Sequence, residues 1–328
     1  MSNVSRFSRA GLTTALALLA TLLFAASAPA ATVVNGDFES GSLAGWTQVN
    51  SGEGAWYAYS GILAPGGFFE IEPREVPPPP QGKFAAISDQ GGPGTHILYQ
   101  DIAIPRYASS TLTMLVYYKS EAPLVTPFPN TLSAGSESEE PPIPNQQYRV
   151  DVISPTSPIE SVNSADVLAT VFATSTGGPE TLAATTMTAD LTPFAGQTVR
   201  LRLAEVDNQF YLNGGADSIA ISSTPYNKFS FGKLKLNKKK GTATLQVKVP
   251  GPGKIVAGDV KKNGKRVKNA KTTAGSPRTV KLKLKPTASG KKALRKTGKL
   301  PFKLKVTFTP TGGKAASKKR SGKLKLAH

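Results

Sequence analysis

Apolar and polar residues alternate along many short stretches of this chain, which is the pattern of β-strands with one buried face. Stretches 112–118 and 199–203 carry apolar side chains at every second position, and 150–152 and 219–221 give shorter versions. No comparable stretch shows a sustained helical period. Clusters of Gly, Pro, Ser and Asn separate the strand-sized runs, so we predict a β-sandwich or jelly roll for the first part of the chain.

The same period continues after residue 225, but there lysine fills the polar positions. In stretch 280–285, for example, Val and Leu alternate with three lysines. Period two places lysine on one face and apolar residues on the other. We therefore expect about seven short strands in an immunoglobulin-like sandwich with a lysine-covered surface, rather than a disordered basic tail. Gly312-Gly313 and Asn263-Gly264 are predicted turns, and Ser289–Thr297 is a predicted short helical segment.

Charge divides the chain at the same point. Residues 31–225 contain 7 Lys and Arg against 20 Asp and Glu, a net charge of −13. Residues 226–328 contain 31 Lys and Arg against one acid, Asp259, a net charge of +30. We therefore predict two domains, 31–225 and 226–328, whose opposite charges raise the hypothesis that they dock on each other.

The N-terminus has the form of a secretory signal peptide. Arg6 and Arg9 precede an apolar run, Leu12–Ala26, and Ala28-Pro29-Ala30 forms a small-x-small cleavage site. A membrane anchor is disfavoured because the run is shorter than the ~20 residues that span a bilayer. We expect residues 1–30 to be removed, and the mature protein to be secreted, extracellular or cell-envelope associated, without a transmembrane segment. It has no cysteine, so its cores, or a metal, must hold it together.

Ala122–Gln147 interrupts the strand pattern. It is rich in Pro, Ser and Glu and poor in apolar residues, so we expect a mobile surface loop.

The sharpest motif opens the predicted mature chain. Residues 33–41 read V-V-N-G-D-F-E-S-G, followed by Gly45-Trp46. This resembles the N-terminal signature of galactose-binding-like jelly rolls, as found in carbohydrate-binding modules. Segments 99–102, 190–201 and 217–221 resemble later strands of that family, in the expected order. The resemblance covers Thr32–Ser223 and implies an all-β jelly roll.

Members of that family often hold a structural Ca²⁺ where the first and last strands meet. The resemblance implies Glu39, Asp217 and backbone carbonyls as ligands, a donor set that suits Ca²⁺. Ser218 stands where the commonest pattern has a second acid. The alternative is that Glu39 and Asp217 are ordinary turn and strand-edge carboxylates.

An aromatic cluster is the candidate ligand site. Trp56, Tyr57 and Tyr59, with Phe68 and Phe69 nearby, would form a stacking platform for a sugar if they were exposed together. The alternative is that these rings pack in the core of the sandwich.

Catalysis has little support in the sequence. The mature chain has two histidines, and His96 has no Glu or His at metal-ligand spacing, so it is expected to be a surface histidine. No nucleophile elbow, zincin helix or phosphate-binding glycine loop occurs. We expect a protein that is not an enzyme.

The second part contains a further resemblance. Stretch 229–253 resembles lysine-rich, immunoglobulin-like C-terminal domains of exported proteins from high-GC Gram-positive bacteria. We expect the lysine face to bind anionic wall polymers. Nucleic acid is not expected, because the protein is exported and few aromatic residues accompany the lysines. The alternative is that lysine only keeps the sandwich soluble.

Together these observations predict an all-β protein with a jelly-roll sandwich followed by an immunoglobulin-like sandwich. The expected function is non-catalytic binding of carbohydrate or another cell-surface ligand. The alternatives are a structural or adhesive surface protein that binds no sugar, and a hydrolase accessory protein.

Overall fold

The structure, a computed structural model, describes residues 31–66, 74–89, 93–135, 143–260 and 266–327. The predicted signal peptide, Phe68, Phe69 and the Asn263-Gly264 turn lie outside the described residues. Strands dominate the described chain, and the predicted all-β sandwich fold is confirmed.

The first sandwich consists of two antiparallel five-stranded sheets. Their strands are β1 (Thr47–Gly52), β2 (Ala55–Tyr59), β3 (Ala85–Asp89), β4 (Gly94–Ala103), β5 (Ala108–Ser120), β6 (Gln146–Ile153), β7 (Val167–Ala173), β8 (Thr181–Asp190), β9 (Thr198–Asp207) and β10 (Leu212–Pro225). One sheet has the order β1-β4-β9-β6-β7 and the other has the order β2-β3-β10-β5-β8. The alternating residues predicted from 112–118 and 199–203 face each other in the main core between the sheets, as in Leu112, Val116 and Leu203.

Both outer faces of this sandwich also carry buried apolar clusters. On the second sheet, Val76 covers Tyr59 and Ile87. On the first sheet, Leu132 covers Ile97, so part of the Pro- and Ser-rich segment is packed against the fold. Within that segment, Val125 also pairs with Gln146 through two backbone hydrogen bonds. The expectation of a mobile surface loop at 122–147 is therefore wrong for its described parts, because its few apolar residues cover a sheet.

The second sandwich has a three-stranded sheet, β11-β12-β15, and a four-stranded sheet, β14-β13-β16-β17. Its strands are β11 (Ser230–Asn237), β12 (Thr242–Val249), β13 (Gly253–Asp259), β14 (Ala270–Ala274), β15 (Arg278–Leu284), β16 (Lys299–Pro310) and β17 (Ala316–Lys325). In β15 and β16 the lysines are exposed and the Leu, Val and Phe residues between them are buried, as the period-two pattern predicted. The turn at Gly312-Gly313 joins β16 to β17.

A single helix, α1 (Ala288–Thr297), occurs among the described residues of the second sandwich. Thr287 caps it, since its hydroxyl accepts from the amide of Gly290 at 3.1 Å. Gly298 ends it in the left-handed conformation. Leu294 is buried against the sandwich, as predicted.

The two sandwiches meet where β10 leads into β11. The Tyr226 amide donates to the Tyr107 carbonyl at 2.9 Å. No ion pair between described residues joins the sandwiches. The hypothesis of docking through opposite charges gains no support from this junction, and the domain bounds 31–225 and 226–328 stay predictions. No described helix is long and apolar enough to span a membrane.

Candidate functional site

The structure does not place the three predicted sugar-contacting rings on one exposed face. Trp56 is 1% exposed in the main core, and its indole N–H donates to the His96 carbonyl at 3.0 Å. Tyr59 is 3% exposed on the opposite face of β2, and its hydroxyl lies 2.9 Å from that of Tyr117. The predicted platform is wrong because both faces of β2 are covered, one by the other sheet and one by the segment around Val76.

Tyr57, the third of these rings, is half-buried and lies near the carboxylate of Asp89. Burial, with a smaller effect of the Asp89 charge, raises the pKa of Tyr57. A methyl group on Gly66 would lie 3.2 Å from the Tyr57 hydroxyl oxygen and 3.0 Å from Asp89 Oδ2. The role of Tyr57 in ligand binding stays a prediction.

Three buried acids lie at the same end of the first sandwich as Tyr57: Asp89, Glu205 and Asp207. Asp89 accepts from the Gly66 amide at 2.7 Å and from the Asn213 side chain at 3.0 Å, and it pairs with Arg74. Burial, followed by the charges of Asp207 and Asp89, raises the pKa of Glu205 well above its usual value.

Arg74 connects this buried cluster to aromatic residues of the β9–β10 loop. Its guanidinium carbon lies 3.5 Å from the centroid of the Tyr211 ring, within cation–π range. Tyr211 in turn contacts Phe210 edge to face, with ring centroids 5.0 Å apart. Phe210 is 55% exposed, so the stack reaches from a buried carboxylate to solvent.

Neighbouring loops hold this stack in place. The Gln146 side chain donates to the Phe210 carbonyl at 2.7 Å, and the Asn208 side chain donates to the Ile143 carbonyl at 2.8 Å. Ile143 is 67% exposed. We call Tyr57, Arg74, Ile143, Phe210 and Tyr211 the loop-end surface.

Sequence reasoning missed the loop-end surface except for Tyr57. Phe210 and Tyr211 belong to no recognised motif. The available signal was a pair of adjacent aromatic residues directly after an alternating strand, where a connecting loop was expected.

The predicted metal-ligating residues both accept hydrogen bonds from one short segment, residues 81–84. Glu39 Oε1 accepts from the amides of Phe84 and Lys83 at 3.0 and 2.8 Å, and these hydrogen bonds lower the pKa of Glu39. Asp217 is buried and accepts from the amides of Gln81 and Ser218. Burial is the largest effect that raises the pKa of Asp217, to about 6, and the Glu39 charge adds to it.

Close backbone contact between the turn before β1 and strand β10 shapes this region. The Ile219 amide donates to the Gly36 carbonyl at 2.8 Å. A methyl group on Gly36 would lie 2.1 Å from the Ile219 carbonyl oxygen, so only glycine fits. Asp217 precedes a break in the β10 register, and Ser218 has a φ of 51°.

A Ca²⁺ site at Glu39 and Asp217 stays a prediction. Glu39 and Asp217 supply two carboxylates that interact electrostatically, and Ca²⁺ prefers such oxygen ligands. No group of three or more His, Cys, Asp or Glu side chains forms a metal cluster among the described residues. The remaining ligands would be carbonyl oxygens and water.

His96 is a core residue, so the expectation of a surface histidine is wrong. It is fully buried, and its Nε2 donates to the Glu53 carbonyl at 3.0 Å. Burial lowers the pKa of His96 to about 4. A neutral, hydrogen-bonded ring buried in the sandwich has no free position for a metal or substrate.

No protein-family model matches the chain, and no curated protein matches it. Among solved structures, it is similar to the adhesin domain of Epf from Streptococcus pyogenes, with 11% identity, 90% of this chain and 97% of that chain covered, and a TM-score of 0.43. It is also similar to the K3 adhesin domain of Lys-gingipain from Porphyromonas gingivalis W83, with 15% identity, 58% and 96% coverage, and a TM-score of 0.33.

A third similar structure is the glycoside hydrolase domain of Endo-D from Streptococcus pneumoniae R6. The identity is 16% and the TM-score is 0.26, and the match covers 85% of this chain but only 37% of the hydrolase structure. These values are too low to transfer a ligand or an activity from any of the three proteins. Membership of either sandwich in a particular family stays a prediction.

Proposed function

We propose that this protein is a secreted, non-catalytic binding protein whose loop-end surface contacts carbohydrate on a cell surface. The observation that carries the proposal is the exposed Phe210 ring, packed on Tyr211, which is fixed in turn by Arg74 and Asp89. Sugars present apolar C–H faces that stack on aromatic rings, while nearby polar groups bind their hydroxyls.

The stack is suited to binding because its parts are already held in position. Arg74 is held in position because it contacts both Asp89 and Tyr211. The Gln146 side chain holds the backbone of Phe210 through a hydrogen bond. A surface fixed before the ligand arrives loses less conformational entropy on binding.

The buried acids argue against a hydrolase. A catalytic acid or base must come within hydrogen-bond reach of the substrate. Asp89, Glu205 and Asp207 are 1%, 0% and 3% exposed, so a substrate does not reach them in this conformation. Their role in the proposal is to fix Arg74 and the surrounding loops.

We also propose a structural Ca²⁺ held by Glu39 and Asp217. Bound Ca²⁺ would offset the mutual repulsion of the two carboxylates and fix the contact between the turn before β1 and strand β10. The second sandwich, through its lysine face, would associate with anionic polymers of the cell envelope.

An adhesive protein that binds no sugar is the second candidate. It is favoured by Ile143 and by the fully exposed Phe128, since exposed apolar side chains also suit a protein ligand. A hydrolase accessory role would be a special case of carbohydrate binding.

A glycan array probed with the mature protein and with Phe210→Ala separates the candidates. Tyr226→Ala is the matched control, because Tyr226 is an exposed aromatic residue at the other end of the first sandwich. Sugar binding that is lost only in Phe210→Ala supports the proposal. Absence of glycan binding by the unmodified protein favours the adhesive alternative.

A further inference from the structure

A cavity of about 530 Å³ opens in the second sandwich. It lies at the end away from the first sandwich, because β11 runs from the junction at Tyr226 to the turn after Asn237, and this turn lines the cavity. Leu294, Leu326 and Pro286 contribute apolar side chains to its wall.

Six cationic side chains line this cavity, and they come from four segments of the chain. They are Lys239 and Lys240 in the turn after β11, Lys268 and Lys285 on neighbouring extended segments, and Lys291 and Arg295 on α1. We call them the cavity cations.

The fold forces these like charges together. The Lys268 amide donates to the Lys285 carbonyl at 2.8 Å, which fixes the two residues side by side. Lys291 and Arg295 are four residues apart in α1, so they share one helix face. Like charges in either arrangement repel each other and destabilise the fold.

In the part of the chain that the structure describes, no acidic side chain lines the cavity to offset this repulsion. Asp259 is the only acid after Pro225 in the sequence. It is buried, and its Oδ2 accepts from the backbone amides of Arg266 and Val267. An anion that enters the cavity would therefore meet six cations whose charge is not balanced by a lining carboxylate.

The chemistry of the lining indicates the kind of anion. Five of the six cavity cations are lysines, whose compact ammonium groups bind phosphate as point charges, and Arg295 adds a guanidinium that can bind phosphate in a two-pronged contact. No aromatic side chain among the described residues lines the cavity, so these residues offer nucleic-acid bases no stacking surface. Six charges distributed over four segments suit several anionic groups in a row.

We propose that this cavity binds a run of phosphate groups on a polymer without aromatic bases. The inference rests on the proposed association of the lysine face with the cell envelope and gives that association a defined site. Attachment would then depend on the cavity cations more than on the lysines of the open strand faces.

The test measures binding of inorganic polyphosphate to the full mature chain by titration calorimetry at physiological salt. The cavity variant Lys291→Gln/Arg295→Gln is compared with Lys292→Gln/Lys296→Gln, which removes two charges from the same helix outside the cavity. A second matched pair compares Lys268→Gln/Lys285→Gln with Lys281→Gln/Lys283→Gln, which changes exposed lysines of β15. Thermal unfolding shows whether each variant is folded.

We expect the cavity variants to lose about tenfold in affinity and the control variants to lose about twofold or less. Equal losses in cavity and control variants would overturn the cavity proposal, while leaving attachment through the whole lysine face in place. Tighter binding of polygalacturonate or single-stranded DNA than of polyphosphate would overturn the assignment of the ligand class. Failure of all three polymers to bind would contradict the proposed envelope association as well.

Discussion

Arg74 lies over the ring of Tyr211, with its guanidinium carbon 3.5 Å from the ring centroid, while it also pairs with the buried carboxylate of Asp89. This contact joins the interior of the first sandwich to a surface loop. The loop residue next to Tyr211 is Phe210, the exposed aromatic residue on which the proposed function depends. The position of the surface ring is therefore coupled to a buried ion pair.

Trp56 is predicted to support stability rather than ligand contact. Trp56→Ala should lower the free energy of unfolding by about 3–5 kcal/mol, because it removes a large side chain from the main core. Chemical denaturation measures this loss, with Tyr226→Ala as a surface control that should change little. A Trp56→Ala protein that unfolds at the same denaturant concentration as the unmodified protein would contradict the buried position.

The ion pairs of Asp151 should contribute far more to stability than that of Asp101. Asp151 accepts from Arg202 at 2.7 Å and from Arg149 at 2.6 Å, and both Asp151 and Arg202 are fully buried. Asp151→Ala should cost about 3–5 kcal/mol, because Arg202 keeps its charge in the interior without its carboxylate partner.

Asp101→Ala is the matched control for Asp151→Ala. Asp101 pairs with Arg200 at 2.6 Å, but its side chain is 40% exposed. Asp101→Ala should lower the free energy of unfolding by about 0–1 kcal/mol. Denaturant titrations of both variants test this difference. Similar losses of unfolding free energy in the two variants would show that burial does not determine how much each ion pair matters for stability.

The effect of Ca²⁺ on stability should depend on pH through Asp217. Its pKa of about 6 in the folded protein lies above the ordinary value of 3.8. The metal-free folded state therefore holds a proton that the unfolded state has lost, so the contribution of Asp217 to stability is present at low pH and is lost as pH rises through 6. Glu39 has a lowered pKa and stays ionised throughout the range from pH 5 to 7.

Because Ca²⁺ binds the ionised carboxylate, it should raise the melting temperature more at pH 7 than at pH 5. Melting curves with Ca²⁺ and with EDTA at both pH values measure this, and Asp217→Asn should remove most of the difference. If Ca²⁺ raised the melting temperature equally at the two pH values, or not at all at pH 7, the result would argue against a metal on Asp217.

The sequence was sufficient to predict several of the strands and their buried faces. Alternation of lysine and leucine in β15 matches the exposed and buried positions there, and Leu294 was correctly expected to point inward from a helix. The motif resemblance also selected Glu39 and Asp217, and in the fold both accept hydrogen bonds from segment 81–84. These features depend on local periodicity or on a distinctive motif.

The features that the sequence did not indicate depend on which loops cover which faces of the sheets. Period two separates Trp56 from Tyr59 across β2, but it does not show that Val76 covers the Tyr59 side. Leu132 is buried within a segment whose composition suggested a mobile loop. Phe210 and Arg74 are far apart in sequence, and only the folded loops bring them to one surface.

The most direct test of the proposed function is quantitative binding of the mature protein and three variants to the glycan that gives the strongest array signal. We expect Phe210→Ala and Tyr211→Ala each to lose about tenfold or more in affinity, as expected for aromatic residues at the centre of an interface. Tyr226→Ala should bind like the unmodified protein. Unchanged affinity in Phe210→Ala and Tyr211→Ala, with both variants folded, would contradict carbohydrate binding at the loop-end surface.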